Sequence, residues 1–329
     1  VGISADTIAA GAGCATVNGN PCQGAVYVFH KPKAGWHSET ETAKLTVSNA
    51  EFAEHLGYSV GISGDTVVAS TSVATVNGNP GQGAAYVFVK PQGGWHSETE
   101  TAKLTASDGA ERDFFGYSAA VSGDTVVVGA GATVNGNPEE GAAYVFVKPK
   151  GGWLSETETA KLTASDGAAF DLLGGSVGIS GDTIVAGAPF AIVNGNPGQG
   201  AAYVFVKPKG GWLSETKTAK LTASDGAAED VIAAVGVSRD TIVADAPGAT
   251  VNGNFAQGAV YVFGDGASDP QSVADASFTA HGSDAATALH RRRNQLRRPQ
   301  CRACAAEPRI ITPNLSGPPF DRRQGPLSR

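Results

Sequence analysis

The 329-residue sequence predicts an all-β fold: a β-propeller of four-stranded antiparallel blades, five in number, ahead of a disordered C-terminal tail. Three observations predict it. The tetrapeptide Val-Asn-Gly-Asn begins at Val17, Val76, Val134, Val193 and Val251, and Trp36, Trp95, Trp153 and Trp212 keep the same rhythm, a period of 58 or 59 residues. Within each period, four short apolar runs are separated by tight-turn signals, and none shows a 3.6-residue periodicity. The composition agrees, with 44 glycines, 7% aromatic and 17% charged residues. Charged and long aliphatic side chains are too few for a coiled coil, and glycine has no three-residue period. No apolar run approaches the roughly 20 residues of a membrane-spanning helix.

The second unit illustrates each element. Tyr58 to Ser63 alternates apolar residues and forms strand A. Ser63-Gly64-Asp65 is a tight turn, since Gly accepts positive φ and Asp bonds its own backbone. Thr66-Val67-Val68-Ala69 is strand B. Asn77-Gly78-Asn79-Pro80-Gly81 is a loop that neither helix nor strand tolerates. Ala84 to Val89 is strand C, its apolar run continuous as in a sheet covered on both faces. Pro91-Gln92-Gly93-Gly94 turns the chain again, and Thr99 to Thr105 is strand D, an exposed outer strand. Four antiparallel strands repeated radially make a propeller, whose neighbouring blades cover the faces that one blade cannot. The Ser-Gly-Asp hairpin argues against the parallel coils of a β-solenoid.

The first unit begins within strand A, Val1 aligning with Val60, so the chain reads as trimmed at its start. In the fifth unit, Ala276-Ser277-Phe278-Thr279-Ala280 aligns with Ala102-Lys103-Leu104-Thr105-Ala106. The propeller is therefore expected over residues 1–280 and the tail over 281–329, with six or seven blades open for a longer protein. Residues 1–264 carry 12 Lys, 2 Arg and 25 acidic residues, a net −11, whereas residues 265–329 carry ten Arg, no Lys and six acids, a net +4. Such a change of basic-residue usage reads as out-of-frame translation or loss of further blades. No aromatics interleave with Arg291-Arg292-Arg293 and Arg297-Arg298, and the body is acidic, so no nucleic-acid partner is expected. The lone Cys301-x-x-Cys304 lacks the two further ligands that a zinc site needs.

The order Phe115-Gly116-Tyr117-Ser118, then Gly187-Ala188-Pro189, then Gly-Ala-Ala-Tyr-Val-Phe resembles FG-GAP repeats, the units of integrin α-subunit propellers and of many bacterial surface proteins. The resemblance implies a secreted or cell-surface adhesion and interaction module. It also implies a calcium loop between strands A and B. Here that loop has shrunk to one carboxylate per unit (Asp6, Asp65, Asp124, Asp182 and Asp240), too few for an ion that takes six to eight oxygens. No cofactor is expected; weak calcium candidates are Asp108 with Asp113 and Asp166 with Asp171, and Asp225 with Asp230 has the same spacing.

Catalysis finds little support. No His recurs through the units: His37 and His96 share a position that Leu154 and Leu213 take next. The propeller region has only Arg112 and Arg239 with which to clamp a substrate carboxylate, and no Gly-x-Ser-x-Gly elbow occurs. The rival reading is a hydrolase or lyase using carboxylates on the propeller rim. Binding is the leading one. Alternating strand directions put the B–C and D–A loops on one rim, which offers Asn18, Asn20, Asn77, Asn79, Asn135, Asn137, Asn194, Asn196, Asn252 and Asn254 with Asp108, Asp166 and Asp225. Amides and carboxylates there suit a protein or glycan ligand, although Asn-Gly-Asn also simply makes turns. The tryptophans are expected to pack between blades. Cys14 and Cys22, found in the first B–C loop alone, are either a disulfide staple or two free thiols.

Overall fold

The computed structural model describes residues 1–48 and 54–264, which form five small antiparallel sheets, one per repeat. In the second unit, strand A is Val60–Ser63, B is Thr66–Thr71, C is Ala84–Val89 and D is Ala102–Thr105, each antiparallel to the one before. The A–B turn has two central residues, Gly64 and Asp65, and pairs Ser63 with Thr66. Its first position takes positive φ in every unit, even where Ala5 (48°) or Arg239 (52°) stands in place of Gly. The last outer strand expected at residues 276–280 lies outside the described residues, as do the tail and Cys301-x-x-Cys304.

Strand D departs from expectation. It is shorter than Thr99 to Thr105, and its edge is not left open. Glu98–Thr99 separates from it and pairs in parallel with Leu45 and Thr46, in strand D of the preceding unit. Glu156–Thr157 does the same to Leu104 and Thr105, and Glu215–Thr216 to Leu162 and Thr163. Side chains complete the clip: the Ser97 hydroxyl accepts the Lys44 amide at 3.0 Å, and the Glu100 carboxylate accepts the Ser48 amide and hydroxyl at 2.8 and 2.7 Å. Ser155 and Glu158 repeat this on the next unit. The run Ser-Glu-Thr-Glu reads as one exposed strand because its partners lie about 50 residues upstream, beyond any local pattern.

The sheets stack face to face. One face of a sheet presents small and branched residues, such as Ala9, Val26, Val28, Ala43 and Leu45; the following sheet covers it with Val67, Ala69, Tyr86, Phe88 and Trp95. The same pairing recurs at the next two junctions, where Trp153 and Trp212 take the place of Trp95. The expectation that tryptophans pack between blades therefore holds for these three, all buried. Trp36 is 46% exposed, because no described sheet precedes it. At the other end, Val243 and Val260 of the fifth sheet are 40% and 43% exposed, and among the described residues no core cluster joins this sheet to the first. Successive A strands lie side by side. They are tied at their turns, where Ser4, Ser63, Ser122 and Ser180 accept the backbone amides of Gly64, Gly123, Gly181 and Arg239 at 3.0–3.1 Å. No described helix is long and apolar enough to cross a membrane.

This arrangement separates residues of identical type and repeat position by their burial. Phe146 is fully buried and meets Phe115 edge-on at 5.9 Å, whereas Phe29 lies on the uncovered face of the first sheet. Phe146→Ala is expected to cost about 3–5 kcal/mol in denaturant unfolding, and Phe29→Ala about half of that or less. Equal losses would show that the first sheet's outer face is covered in solution.

Candidate functional site

The B–C and D–A loops meet on one rim. Arg112, Phe114 and Phe115 of the D–A loop donate backbone amides to Pro80, Gly81 and Gln82 of the B–C loop at 3.1, 3.0 and 2.8 Å. The third and fourth loop pairs repeat this through Phe170 to Pro138 and Glu229 to Pro197, both at 2.9 Å. The opposite rim carries the A–B and C–D turns, where Lys207 reaches Asp182 at 2.9 Å and Lys90 and Lys148 pair with Asp65 and Asp124. The carboxylates of the shrunken A–B loop thus hold the lysines that follow strand C. His37 and His96 are exposed residues near the C–D turns, each with its Nδ1 against a glycine carbonyl.

Each Val-Asn-Gly-Asn is a two-residue hairpin. Val76 and Asn79 exchange backbone hydrogen bonds at 3.3 and 2.9 Å, with Asn77 at φ 52° and Gly78 at 84°, the left-handed pair that a type I′ turn requires. The two asparagines therefore have different work. The first of each pair (Asn18, Asn77, Asn135, Asn194 and Asn252) sits exposed at the turn tip, and among the described residues its amide makes no hydrogen bond. The second is anchored. Asn20, Asn79, Asn196 and Asn254 donate to Gln23, Gln82, Gln199 and Gln257 at 3.0–3.4 Å, and Asn137 donates to Glu140 at 2.8 Å. Asn79 and Asn196 also reach the Gly109 and Gly226 carbonyls at 3.3 and 3.1 Å, stitching B–C loop to D–A loop.

The rim carboxylates are engaged with the following unit. Asp108 accepts Lys161 at 2.6 Å and Tyr144 at 3.0 Å. Burial raises its pKa, but Lys161 and the Tyr144 hydroxyl outweigh that effect and hold it below the usual carboxylate range. Asp225 accepts Tyr261 at 2.8 Å. Asp166 bonds Lys217 and, at 2.8 Å, Lys220. Lys217 stands where the earlier units have Glu100 and Glu158; it still reaches Ser165, at 3.0 Å, so a lysine and an aspartate replace the carboxylate clip. Asp113, Asp171 and Asp230 accept the amides of Ala110, Ala168 and Ala227 at 2.7–2.9 Å, and burial raises the first two. Among the described residues these carboxylates do not gather in threes; the one metal-type cluster is Cys14, Cys22 and His55. Cys14 and Cys22 are joined as a disulfide, so of the two sequence alternatives the structure takes the staple.

Sequence reasoning gave Phe170 and Ile192 no part on this rim; both are exposed there, as are Val73 and Phe255, the last by 87%. The D–A loops carry non-glycine residues at positive φ in pairs: Arg112 and Phe114, Phe170 and Leu172, Glu229 and Val231. For a β-branched residue such as Val231 that conformation is strained. A groove of about 330 Å³ runs from Val17 and Asn18 to the Ser97-Glu98-Thr99 clip.

The Asp166 pair gives the rim a pH signature. Burial alone would raise this carboxyl; hydrogen bonds and charge from Lys217 and Lys220 prevail and bring it down to about 2. Because the folded pKa lies below the unfolded value of about 3.9, the contribution is complete above that value. It fades as pH falls from about 4 through about 2. Asp166→Asn is expected to flatten the fall in melting temperature over that window, with the wild-type difference shrinking in high salt. Parallel pH curves for the two proteins would remove the carboxylate from stability.

The motif glycines have a steric reason on this rim. Gly116 follows the buried Phe115 at φ 96°, and a Cβ on Gly83 would overlap the Phe115 carbonyl. Among solved structures, the computationally designed Ika8 protein is similar with TM-score 0.44 and 15% identity, over 81% of this chain and 58% of that one. The WD40 β-propeller domain of Doa1 is similar with TM-score 0.37 and 10% identity, over 68% and 55%. The chain thus spans between half and two thirds of each. No curated protein matches in sequence. The FG-GAP repeat profile matches residues 40–88, 99–146, 157–205 and 216–263, more than half of the chain, and the chain accordingly belongs to the FG-GAP repeat family.

Proposed function

We propose that this protein is a non-catalytic interaction module, secreted or displayed at a cell surface, that holds a protein or glycan ligand on the rim of B–C and D–A loops. The carrying observation is the five exposed asparagine amides at the hairpin tips, one per unit and without internal hydrogen bonds. They share a rim with exposed Phe170, Ile192 and Phe255. Solvent-exposed amides and apolar side chains on one rim suit a partner that presents both polar and apolar groups. The anchored asparagines and Asp108, Asp166 and Asp225 build the rim and leave contact to the tips. Lysine pairing of Asp108 and Asp166 weakens the rival hydrolase reading, since paired carboxylates are poor acids and bases at neutral pH. Membership of a family of interaction propellers supports the module reading, and the Cys14–Cys22 crosslink fits an oxidising compartment.

The test separates rims. Because Asn77 and Asn194 occupy positive φ, alanine there would strain the turn, so the informative changes are Asn77→Gly and Asn194→Gly with Phe170→Ser. Binding to a hit from a glycan array or a protein display library should weaken by tenfold or more, with the melting temperature moved by a few degrees at most. Asp65→Asn and Asp182→Asn, on the opposite rim, should leave binding intact. Loss of binding in the latter pair, while folded, reverses the assignment of faces.

Calcium is proposed to have no structural part. With the disulfide intact, a calcium chelator should move the melting temperature by less than about 2 °C. A site filled at 100 times its dissociation constant contributes about 2.7 kcal/mol, which would appear as several degrees. A shift of that size would direct attention to the Asp108–Asp113 loop.

A further inference from the structure

Cys14, Cys22 and His55 are each peculiar to the first unit. The later units place Val73, Gly131, Phe190 and Gly248 at the first position; Gly81, Glu139, Gly198 and Ala256 at the second; and Phe114, Leu172 and Val231 at the third. The three changes lie in two different loops, up to 41 residues apart, yet their ligand atoms come within 4.8 Å of one another. In units that otherwise differ little, three metal-ligating residues have arisen where no equivalent position carries a thiol or an imidazole, and the fold brings them to one point.

The geometry points to a Zn²⁺ site formed by Cys14 Sγ, Cys22 Sγ and His55 Nδ1 when the two cysteines are reduced; we propose this as a second state of the cluster whose oxidised state is the disulfide. The separation of Cys14 Sγ from His55 Nδ1 is 3.6 Å. With Zn–S of about 2.3 Å and Zn–N of about 2.05 Å, a tetrahedral site requires an S···N edge of about 3.6 Å. The sulfurs, bonded in the oxidised state, would part to about 3.8 Å, the S···S edge of the same tetrahedron. The backbone is already set. The His55 amide donates to the Cys22 carbonyl at 3.0 Å, Gly24 bridges Leu56, and Cys22 and His55 both hold positive φ. Cys14 is exposed, so an ion has a path in.

Donor chemistry selects the ion: two thiolates and an imidazole suit Zn²⁺ and exclude calcium or magnesium, which take oxygen. No other His, Cys, Asp or Glu among the described residues belongs to the group, which leaves the fourth position to water or to an external donor atom. The balance is simple. A phosphine reductant takes an oxygen atom from water to become its oxide, and the two hydrogens pass to the sulfurs. Zinc then displaces both thiol protons to solvent as two Zn–S bonds form, while the imidazole lends its Nδ1 lone pair. Since the site joins the first B–C loop to the following D–A loop, the ion would replace the disulfide as a fastener and present an exchangeable coordination position on the rim.

The test uses the full chain carrying Cys301→Ser and Cys304→Ser, reduced with a phosphine and assayed for two free thiols, with Co²⁺ as the optical probe. One equivalent should give the thiolate charge-transfer band and strong visible bands of a four-coordinate site, and one equivalent of Zn²⁺ should bleach them. Cys14→Ser, Cys22→Ser and His55→Asn should each lose those bands while circular dichroism stays that of the parent. Asparagine is chosen at position 55 because it accepts the positive φ. The oxidised protein should give no bands. A weak six-coordinate spectrum, bands that survive His55→Asn, or a chain that keeps its disulfide under reductant and takes up no cobalt would each overturn the proposal.

Discussion

A four-stranded sheet with two apolar faces has no way to cover itself, and every other feature of the chain answers to that constraint. Burial returns about 25 cal/mol per Å² of apolar surface, and here the surface of one unit is removed from water only by the next. Small and branched side chains on one face receive the tyrosine, phenylalanine and tryptophan of the following face. The terminal units define the rule by exception. Trp36 and Val243 belong to the same positions as buried residues elsewhere, and among the described residues no sheet lies against them.

Around this apolar contact runs a second set of links, each polar and each local to one end of the sheet. Serines of the A–B turns tie the inner strands, the Ser-Glu-Thr clip closes the outer edges, and the rim aspartates hold tyrosine and lysine of the following unit. These bonds add modest energy one by one, roughly 1 kcal/mol each. Their effect is on register: a sheet that slid against its neighbour would break all three sets at once. Among the described residues, the exposed asparagines at the hairpin tips take no part in these links.

Much of the fold was legible because its causes are local. Asn-Gly within a β-branched context declares a turn, and the uninterrupted Ala-Ala-Tyr-Val-Phe-Val declares a strand covered on both sides. The rim assignment followed from strand alternation alone. The clip was not legible: Glu98 and Thr99 look like the start of the strand they precede, and only the upstream partner reveals otherwise. The division of labour within each Asn pair was hidden for a similar reason, since Asn79 owes its role to Gln82 and to Gly109 thirty residues on. His55 was overlooked because it sits 33 residues from Cys22 in sequence. Comparison of the units position by position would have raised it, as Phe114, Leu172 and Val231 stand in its place.

The clip has a bearing on how such a gene grows. Each of the first three sheets takes its last strand from the succeeding unit, so the stretch that builds a sheet and the stretch that repeats in the sequence are out of phase. Any internal cut made at equal positions in two units therefore rejoins a clip to a receptive strand, wherever in the period it falls. Recombination between misaligned copies would lengthen or shorten the array without creating a foreign junction, and near-identity of the units would make such misalignment frequent. An array of this design varies in number more readily than in form, and selection on loop sequence can proceed unit by unit while the seams remain interchangeable.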